Sequence, residues 1–121
     1  MLAVGEHLSG QVDERIRRMA CGLGGGMGGS REEACGALTG GVLLLGALCA
    51  RTSPAQEDTE LYRRVCAYRE RFLAEFGFTR CADLQASGFG SGGTRPCSAL
   101  VERAAQILLD GIDDMADALR I

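Results

Sequence analysis

The stretch GLGGGMGGSREEACGALTGG, Gly22–Gly41, joins two predicted helices and decides how the chain folds between them. Nine of the 18 glycines of the chain lie in these twenty residues. Glycine loses more conformational entropy on folding than any other residue, so the cluster needs a reason in phosphate binding, close packing or exposure of a reactive group. The pattern predicts a glycine loop and then a helix from about Arg31 to Ala50, started by a capping box of Ser30 and Glu33.

Three further helices are predicted from apolar residues at spacings of three and four. The first runs from Leu2 to about Cys21. The next carries the clearest apolar stripe and ends at a glycine cap, Gly77; the members of the stripe are Leu61, Val65, Tyr68, Phe72 and Phe76. Its start is predicted at Thr52-Ser53-Pro54, an N-cap followed by proline, with Gln56 as the reciprocal partner.

The last long helix is predicted to begin near Cys97 or Ser98. A short helical turn at 81–85 and a flexible loop, Ala86–Pro96, precede it. No segment alternates as a strand does, and 121 residues suit one domain. The expected architecture is therefore a single all-α domain, 1–121, built as a small bundle of about four long helices with two glycine-rich loops.

Charge and hydropathy limit the classes of function. The formal net charge is -3, and the 13 basic residues are all arginine and form no stripe, so nucleic acid is not an expected partner. Ala34–Ala50 is uncharged, but its glycines and length favour a buried helix over a membrane span. Because no secretory signal is visible, the expected location is the cytoplasm.

Six cysteines are many for a cytoplasmic chain of this length, and such numbers more often serve metal or redox chemistry than structural disulfides. No two form a C-x-x-C pair. Cys35 is expected about one turn into the second helix, where the helix dipole would lower its thiol pKa, although it could equally be a small packing residue. Cys49 and Cys66 are expected in the core, and Cys21 fits either role.

Cys81 and Cys97 stand on either side of the second glycine-rich loop. If they pair, closure of that loop contributes about 3 kcal/mol in the chain-entropy model. If they do not, the two thiols can converge on a third.

Gly24, Gly26 and Gly29 satisfy the G-x-G-x-x-G spacing of a dinucleotide-binding loop. The element before them reads as a helix, whereas that fold requires a strand. Nucleotide binding is therefore a minor alternative, and binding of an anion by loop amides stays open.

The glycine block and the residues CGALTGG resemble the GGGMG and CGAxxG signature of the small proteins named for their C-GCAxxG-C-C cysteine pattern, to which redox activity is ascribed. Cys81 in RCADL and Cys97 in RPCSAL match the last two cysteines of that pattern. The resemblance implies a helical domain with a redox-active or metal-binding cysteine set, and a related cysteine-rich region occurs in some multihaem cytochromes. The first cysteine of the family, in a helix well upstream, has no counterpart here.

The leading hypothesis is a redox protein in which Cys35, Cys81 and Cys97 converge as catalytic thiols or metal ligands. It would act by thiol–disulfide exchange with an unidentified partner protein, or by electron transfer through an iron–sulfur cluster or other metal. A cofactor would be held by the glycine block, at Gly24, Gly25, Gly26, Met27 and Gly36. The alternative is a noncatalytic interaction module that forms a homodimer through its glycine-faced helix.

Overall fold

Helices account for the regular structure of the described residues. The computed structural model describes residues 13–50, 53–90 and 93–119, with side chains as far as residue 113. Within these ranges the helices are α1 (Glu14–Cys21), α2 (Gly36–Cys49), α3 (Thr59–Phe76), α4 (Cys81–Ala86) and α5 (Cys97–Leu119). The described residues form no strand, only two isolated bridges. The all-α prediction is confirmed.

The three longest helices, α2, α3 and α5, pack against one another and enclose the core. All the buried side chains in the described residues are apolar apart from the tyrosine hydroxyl. The largest fully buried side chains of the core are Phe72 and Leu108. Helix α4 contributes Leu84 to the core, and the loop after it contributes Phe89. No described helix has the length and hydropathy needed to cross a bilayer.

Helix α3 carries the predicted apolar stripe. Tyr68 and Phe72 are buried, and the other three members of the stripe are partly buried against the core. Gly77 adopts φ 81° and donates its amide to the Leu73 carbonyl at 2.8 Å, so the predicted C-cap is confirmed. The predicted start is wrong.

Instead of capping the helix, the segment after residue 52 forms a turn in which the Gln56 amide donates to the Ser53 carbonyl at 3.1 Å. The helix begins at Thr59, and Asp58 is its N-cap. Thr52 lies outside the described residues. A serine–proline pair favours a tight turn as readily as a helix start, and here the turn forms.

The glycine block turns with the opposite hand to a normal helix. Five consecutive residues, 25–29, have φ between 59° and 73°, and Met27 is one of them. An L-residue in this left-handed region costs roughly 1–2 kcal/mol, whereas glycine adopts it freely. The glycines therefore allow the chain to reverse between α1 and α2.

Helix α2 consequently begins five residues later than predicted, at Gly36 with Cys35 as N-cap. The expected capping box is wrong because the Ser30 hydroxyl donates to the Gly26 carbonyl at 2.8 Å, within the loop. Arg31 itself has φ 66°, which no right-handed helix permits. Residues 31–35 instead form a nonhelical arm with an isolated bridge at Ala34.

The first and last helices follow their predictions where they are described. α1 is the end of the predicted helix Leu2–Cys21, whose residues before 13 lie outside the described ranges. Asp13 caps it, accepting the Arg15 amide at 2.7 Å. α4 and α5 begin at Cys81 and Cys97, as expected.

Candidate functional site

An antiparallel pairing brings two of the predicted site cysteines together. Ala34 and Arg80 form an isolated antiparallel bridge. On one side of the bridge the Cys35 amide donates to the Thr79 carbonyl at 2.8 Å. On the other side the Cys81 amide donates to the Glu33 backbone carbonyl at 2.9 Å. The arm that precedes α2 is thus tied to the arm that precedes α4.

This register sets the separation of the two cysteines. Cys35 lies opposite Thr79, so Cys81 is its diagonal neighbour on the same face of the pair. Diagonal neighbours have Cα atoms about 7–8 Å apart. A disulfide usually needs roughly 4.4–6.8 Å between Cα atoms, so diagonal neighbours in a regular pair bridge only when the two segments move closer.

The glycine block covers Cys81 directly. Gly26 is buried, and a Cβ added to it would lie 2.6 Å from the Cys81 Cβ and 2.8 Å from the Arg31 Cα. Only glycine permits such an approach. The backbone of the left-handed turn therefore packs directly against Cys81.

Cys97 opens α5 and is exposed. The loop before it passes close by: a Cβ on Gly90 would lie 3.2 Å from the Cys97 sulfur and 3.5 Å from the Gln85 side-chain nitrogen. Gln85 stands one turn after Cys81 on α4. The second glycine-rich loop thus leads from α4 to the third cysteine.

The pKa of Cys35 is influenced by both of the other site cysteines, Cys81 and Cys97. Burial is the largest influence and raises its pKa, the amides of Ala37 and Leu38 lower it, and the charges of Cys81 and Cys97 raise it again. Although Cys35 is the N-cap of α2, its side chain makes no capping hydrogen bond. The expectation of a lowered Cys35 pKa is wrong, because desolvation outweighs the helix N-terminus.

Tyr68 lies on the inner side of Cys35. Its hydroxyl donates to the Ala37 carbonyl at 3.1 Å, and its pKa is raised by burial first and by the charge of Cys35 second. Its ring fills the space beside Gly41, where a Cβ would lie 2.6 Å from the nearest ring carbon. The first turn of α2 is therefore held against α3.

The remaining cysteines lie elsewhere. Cys49 packs partly buried against the core, in line with its expected role. Cys66 is exposed on α3, so its expected core position is wrong: it falls on the solvent side of a helix whose stripe is narrow. Cys21 is exposed, and its thiol donates to the Arg17 carbonyl at 3.2 Å.

The glycine block uses much of its own hydrogen-bonding capacity. Amides of Gly24 and Met27 donate to carbonyls just upstream, and the carbonyls of Gly25 and Gly26 accept from Arg31 and Glu33. On the face toward α2, a Cβ on Gly36 would lie 3.4 Å from the Leu23 carbonyl oxygen. The loop backbone therefore packs closely against Gly36, and the cofactor role of these residues stays a prediction.

No group of three His, Cys, Asp or Glu side chains among the described residues is arranged to hold a metal ion. The three predicted site cysteines differ in exposure: Cys35 and Cys81 are partly buried, and Cys97 is exposed. The pairing that involves Glu33, Thr79 and Arg80 was not predictable from the sequence, since no local pattern indicates a contact between arms almost fifty residues apart.

A family model described as "Putative redox-active protein (C_GCAxxG_C_C)" matches residues 1–110. The matched range holds all six cysteines of the chain. No curated protein and no solved structure matches the chain. Because the family match covers most of the 121 residues, the protein belongs to this redox-active family.

Proposed function

We propose that the protein carries out thiol–disulfide exchange with a partner disulfide through Cys35, Cys81 and Cys97. The observation that carries the proposal is the antiparallel pairing that makes Cys35 and Cys81 diagonal neighbours. The influence of both Cys81 and Cys97 on the pKa of Cys35 supports a shared site. Membership of a redox-active family supports the class of chemistry.

The exposed thiol makes the first attack. The thiolate is the nucleophile in exchange, so accessibility and ease of ionisation decide which cysteine reacts with a large partner. Cys97 is exposed at the start of a 23-residue helix, whereas Cys35 is half-buried with a raised pKa. This ordering reverses the simplest expectation from sequence, in which Cys35 attacks.

The exchange proceeds in three balanced steps. The Cys97 thiolate attacks one sulfur of the partner disulfide, forming a mixed disulfide and releasing a partner thiolate, which takes a proton from water. Cys35, after losing its proton to water, attacks the Cys97 sulfur and releases the second partner thiol. Cys81, after losing its proton to water, then attacks the Cys35 sulfur, which frees Cys97 as a thiolate and leaves a Cys35–Cys81 disulfide. Overall, two electrons pass from the protein to the partner, and the protons lost by Cys35 and Cys81 balance those taken up by the two partner thiolates.

Trapping tests this order. In a Cys21→Ser, Cys66→Ser background, which removes the other exposed thiols, the reduced protein is mixed with oxidised glutathione and analysed by intact mass spectrometry. The parent should finish with an internal disulfide and no retained glutathione. Adding Cys35→Ser should leave one glutathione on Cys97, and the proposal fails if both proteins retain it equally.

We propose self-association as a second property, because one apolar groove favours it. The groove has a volume of about 290 Å³ and lies between α1, α2 and α5, with Gly36 and Gly40 among its lining residues. Ile16, Leu43 and Val101 line it and are each 38–40% exposed. A second copy of the chain is the proposed occupant; Leu43→Glu should then shift a dimer to monomer in analytical ultracentrifugation, whereas a monomeric parent contradicts the proposal.

A further inference from the structure

Arg80 makes more contacts than the other described surface arginines near the site. Its Nε donates to the Glu32 backbone carbonyl at 3.1 Å, and a terminal nitrogen lies 2.9 Å from the Glu32 carboxylate. The other terminal nitrogen lies 3.6 Å from the Asp83 carboxylate. One guanidinium therefore joins three acceptors on two separate segments.

These contacts tie together the two arms that carry the cysteines. Glu32 belongs to the arm that leads to Cys35, and Asp83 belongs to the first turn of α4, which Cys81 begins. The backbone hydrogen bonds of the pairing are few, so a side chain that bridges the arms adds a large fraction of the contacts that hold their register. A slip of one residue would turn a cysteine to the opposite face.

The side chain of Arg80 leaves the paired arms on the face opposite Cys81. Arg80 pairs with Ala34, and side chains alternate along an extended segment, so Arg80 and its neighbour Cys81 leave the pair on opposite faces. Its influence on the thiols must pass through the backbone of the arms.

We propose that Arg80 is a positioning residue, which holds the arms in the register that lets Cys35 and Cys81 form a disulfide. The proposal rests on the proposed function, since it concerns the last step of the exchange. Without the three contacts, the reduced arms sample more relative positions. The equilibrium constant for closing the disulfide then falls.

An ordinary exposed ion pair provides the comparison. Isolated surface pairs contribute little to stability. The Arg103–Glu75 pair has the same kind of geometry, 2.8 Å, and a similar arginine exposure, 48% against 45% for Arg80. It joins α3 to α5 through side chains alone. Arg103→Ala is therefore the matched control.

The experiment measures the Cys35–Cys81 disulfide in glutathione buffers of graded potential, by mass spectrometry. The full chain is used, with the other thiols replaced: Cys21→Ser, Cys49→Ala, Cys66→Ser and Cys97→Ser. Arg80→Ala should lower the equilibrium constant about tenfold, in keeping with the loss of charge-assisted hydrogen bonds, and this corresponds to about 30 mV. Arg103→Ala should stay within about twofold of the parent.

Two further variants separate positioning from general loss of structure. Arg80→Lys keeps the charge but not the planar fork, so it should fall between parent and alanine variant. Glu32→Ala should lower the constant, and adding it to Arg80→Ala should lower it little further, because both remove one interaction. If Arg80→Ala fails to fold, Arg80→Lys and Glu32→Ala carry the comparison.

The outcomes distinguish this inference from the proposed function. If the parent forms no Cys35–Cys81 disulfide, the proposed exchange fails. If the parent forms it and the Arg80 variants match the Arg103 control, the exchange stands and the positioning role is overturned. A raised equilibrium constant in Arg80→Ala also overturns it, since the contacts would then oppose closure.

Discussion

Replacing Gly26 by alanine tests whether the left-handed turn is seated on the site as described. Gly26 has φ 70°, and a Cβ there would meet the Cys81 Cβ at 2.6 Å and the Arg31 Cα at 2.8 Å. Left-handed backbone costs alanine roughly 1–2 kcal/mol. Overpacking against backbone and a short side chain adds about 1–3 kcal/mol. Together these lower the free energy of unfolding by about 2–5 kcal/mol.

Gly28 supplies the control for the backbone contribution. Its φ is 61°, nearly the same, but no atom lies within 4 Å of an added Cβ. Gly28→Ala should therefore lose only the roughly 1–2 kcal/mol of the left-handed conformation. The difference between the two variants therefore measures the contacts of position 26 with Cys81 and with the Arg31 backbone.

Urea denaturation under reducing conditions, followed by far-ultraviolet circular dichroism, measures both variants. Gly26→Ala should be less stable than Gly28→Ala by about 1–3 kcal/mol. It should also shift the glutathione equilibrium of the Cys35–Cys81 pair, which Gly28→Ala should leave unchanged. Equal destabilisation of the two variants would refute the contact between the turn and Cys81.

Three other predictions concern the first turn of α2 and its contact with α3. Because burial raises the pKa of Cys35, its alkylation by iodoacetamide should rise at higher pH in the folded chain than in the chain unfolded in urea, and coincident pH profiles would contradict this. The folded state also keeps the Cys35 proton when the unfolded thiol has lost it, so stability should fall as pH rises from about 8.5 toward the folded pKa, and Cys35→Ser should remove part of that slope in urea titrations. Gly41→Ala should destabilise the fold by about 1–3 kcal/mol, because the added Cβ collides with the Tyr68 ring. Gly46→Ala, where nothing lies within 4 Å of an added Cβ, should stabilise it by about 0.8–1 kcal/mol. Thermal denaturation measures both variants, and a Gly41→Ala protein more stable than Gly46→Ala would contradict the prediction.

Local patterns were sufficient where a helix has one buried face and a clear end. The stripe on α3 and the cap at Gly77 were predictable because the 3.6-residue period and a left-handed glycine each act within a few residues. The starts of α4 and α5 were predictable for the same reason. Cys66 was misplaced because it neighbours the stripe, and one position along a helix turns a side chain by about 100°.

The structure after the glycine block was predicted wrongly because two local signals compete there. Ser30 and Glu33 have the spacing of a capping box, but the left-handed run before them directs the serine hydroxyl back to Gly26. The lowered pKa expected for Cys35 failed in a similar way: the helix N-terminus is a local feature, whereas the burial that outweighs it comes from the tertiary fold.

The candidate site could be predicted in its residues but not in its geometry. The CGA motif and the resemblance selected Cys35, Cys81 and Cys97 together. Their relative placement depends on the pairing of Ala34 with Arg80. Contacts between arms so distant in sequence leave no periodicity, so only the folded structure reveals which cysteines are neighbours.

A disulfide map of the full chain after equilibration with oxidised glutathione tests the central claim most directly. The reacted protein is alkylated, digested without reduction and sequenced by mass spectrometry across a range of potentials. The account predicts a reversible Cys35–Cys81 bridge with a single midpoint potential. A map in which Cys35 stays a free thiol at every potential, while only exposed cysteines are modified, would contradict it.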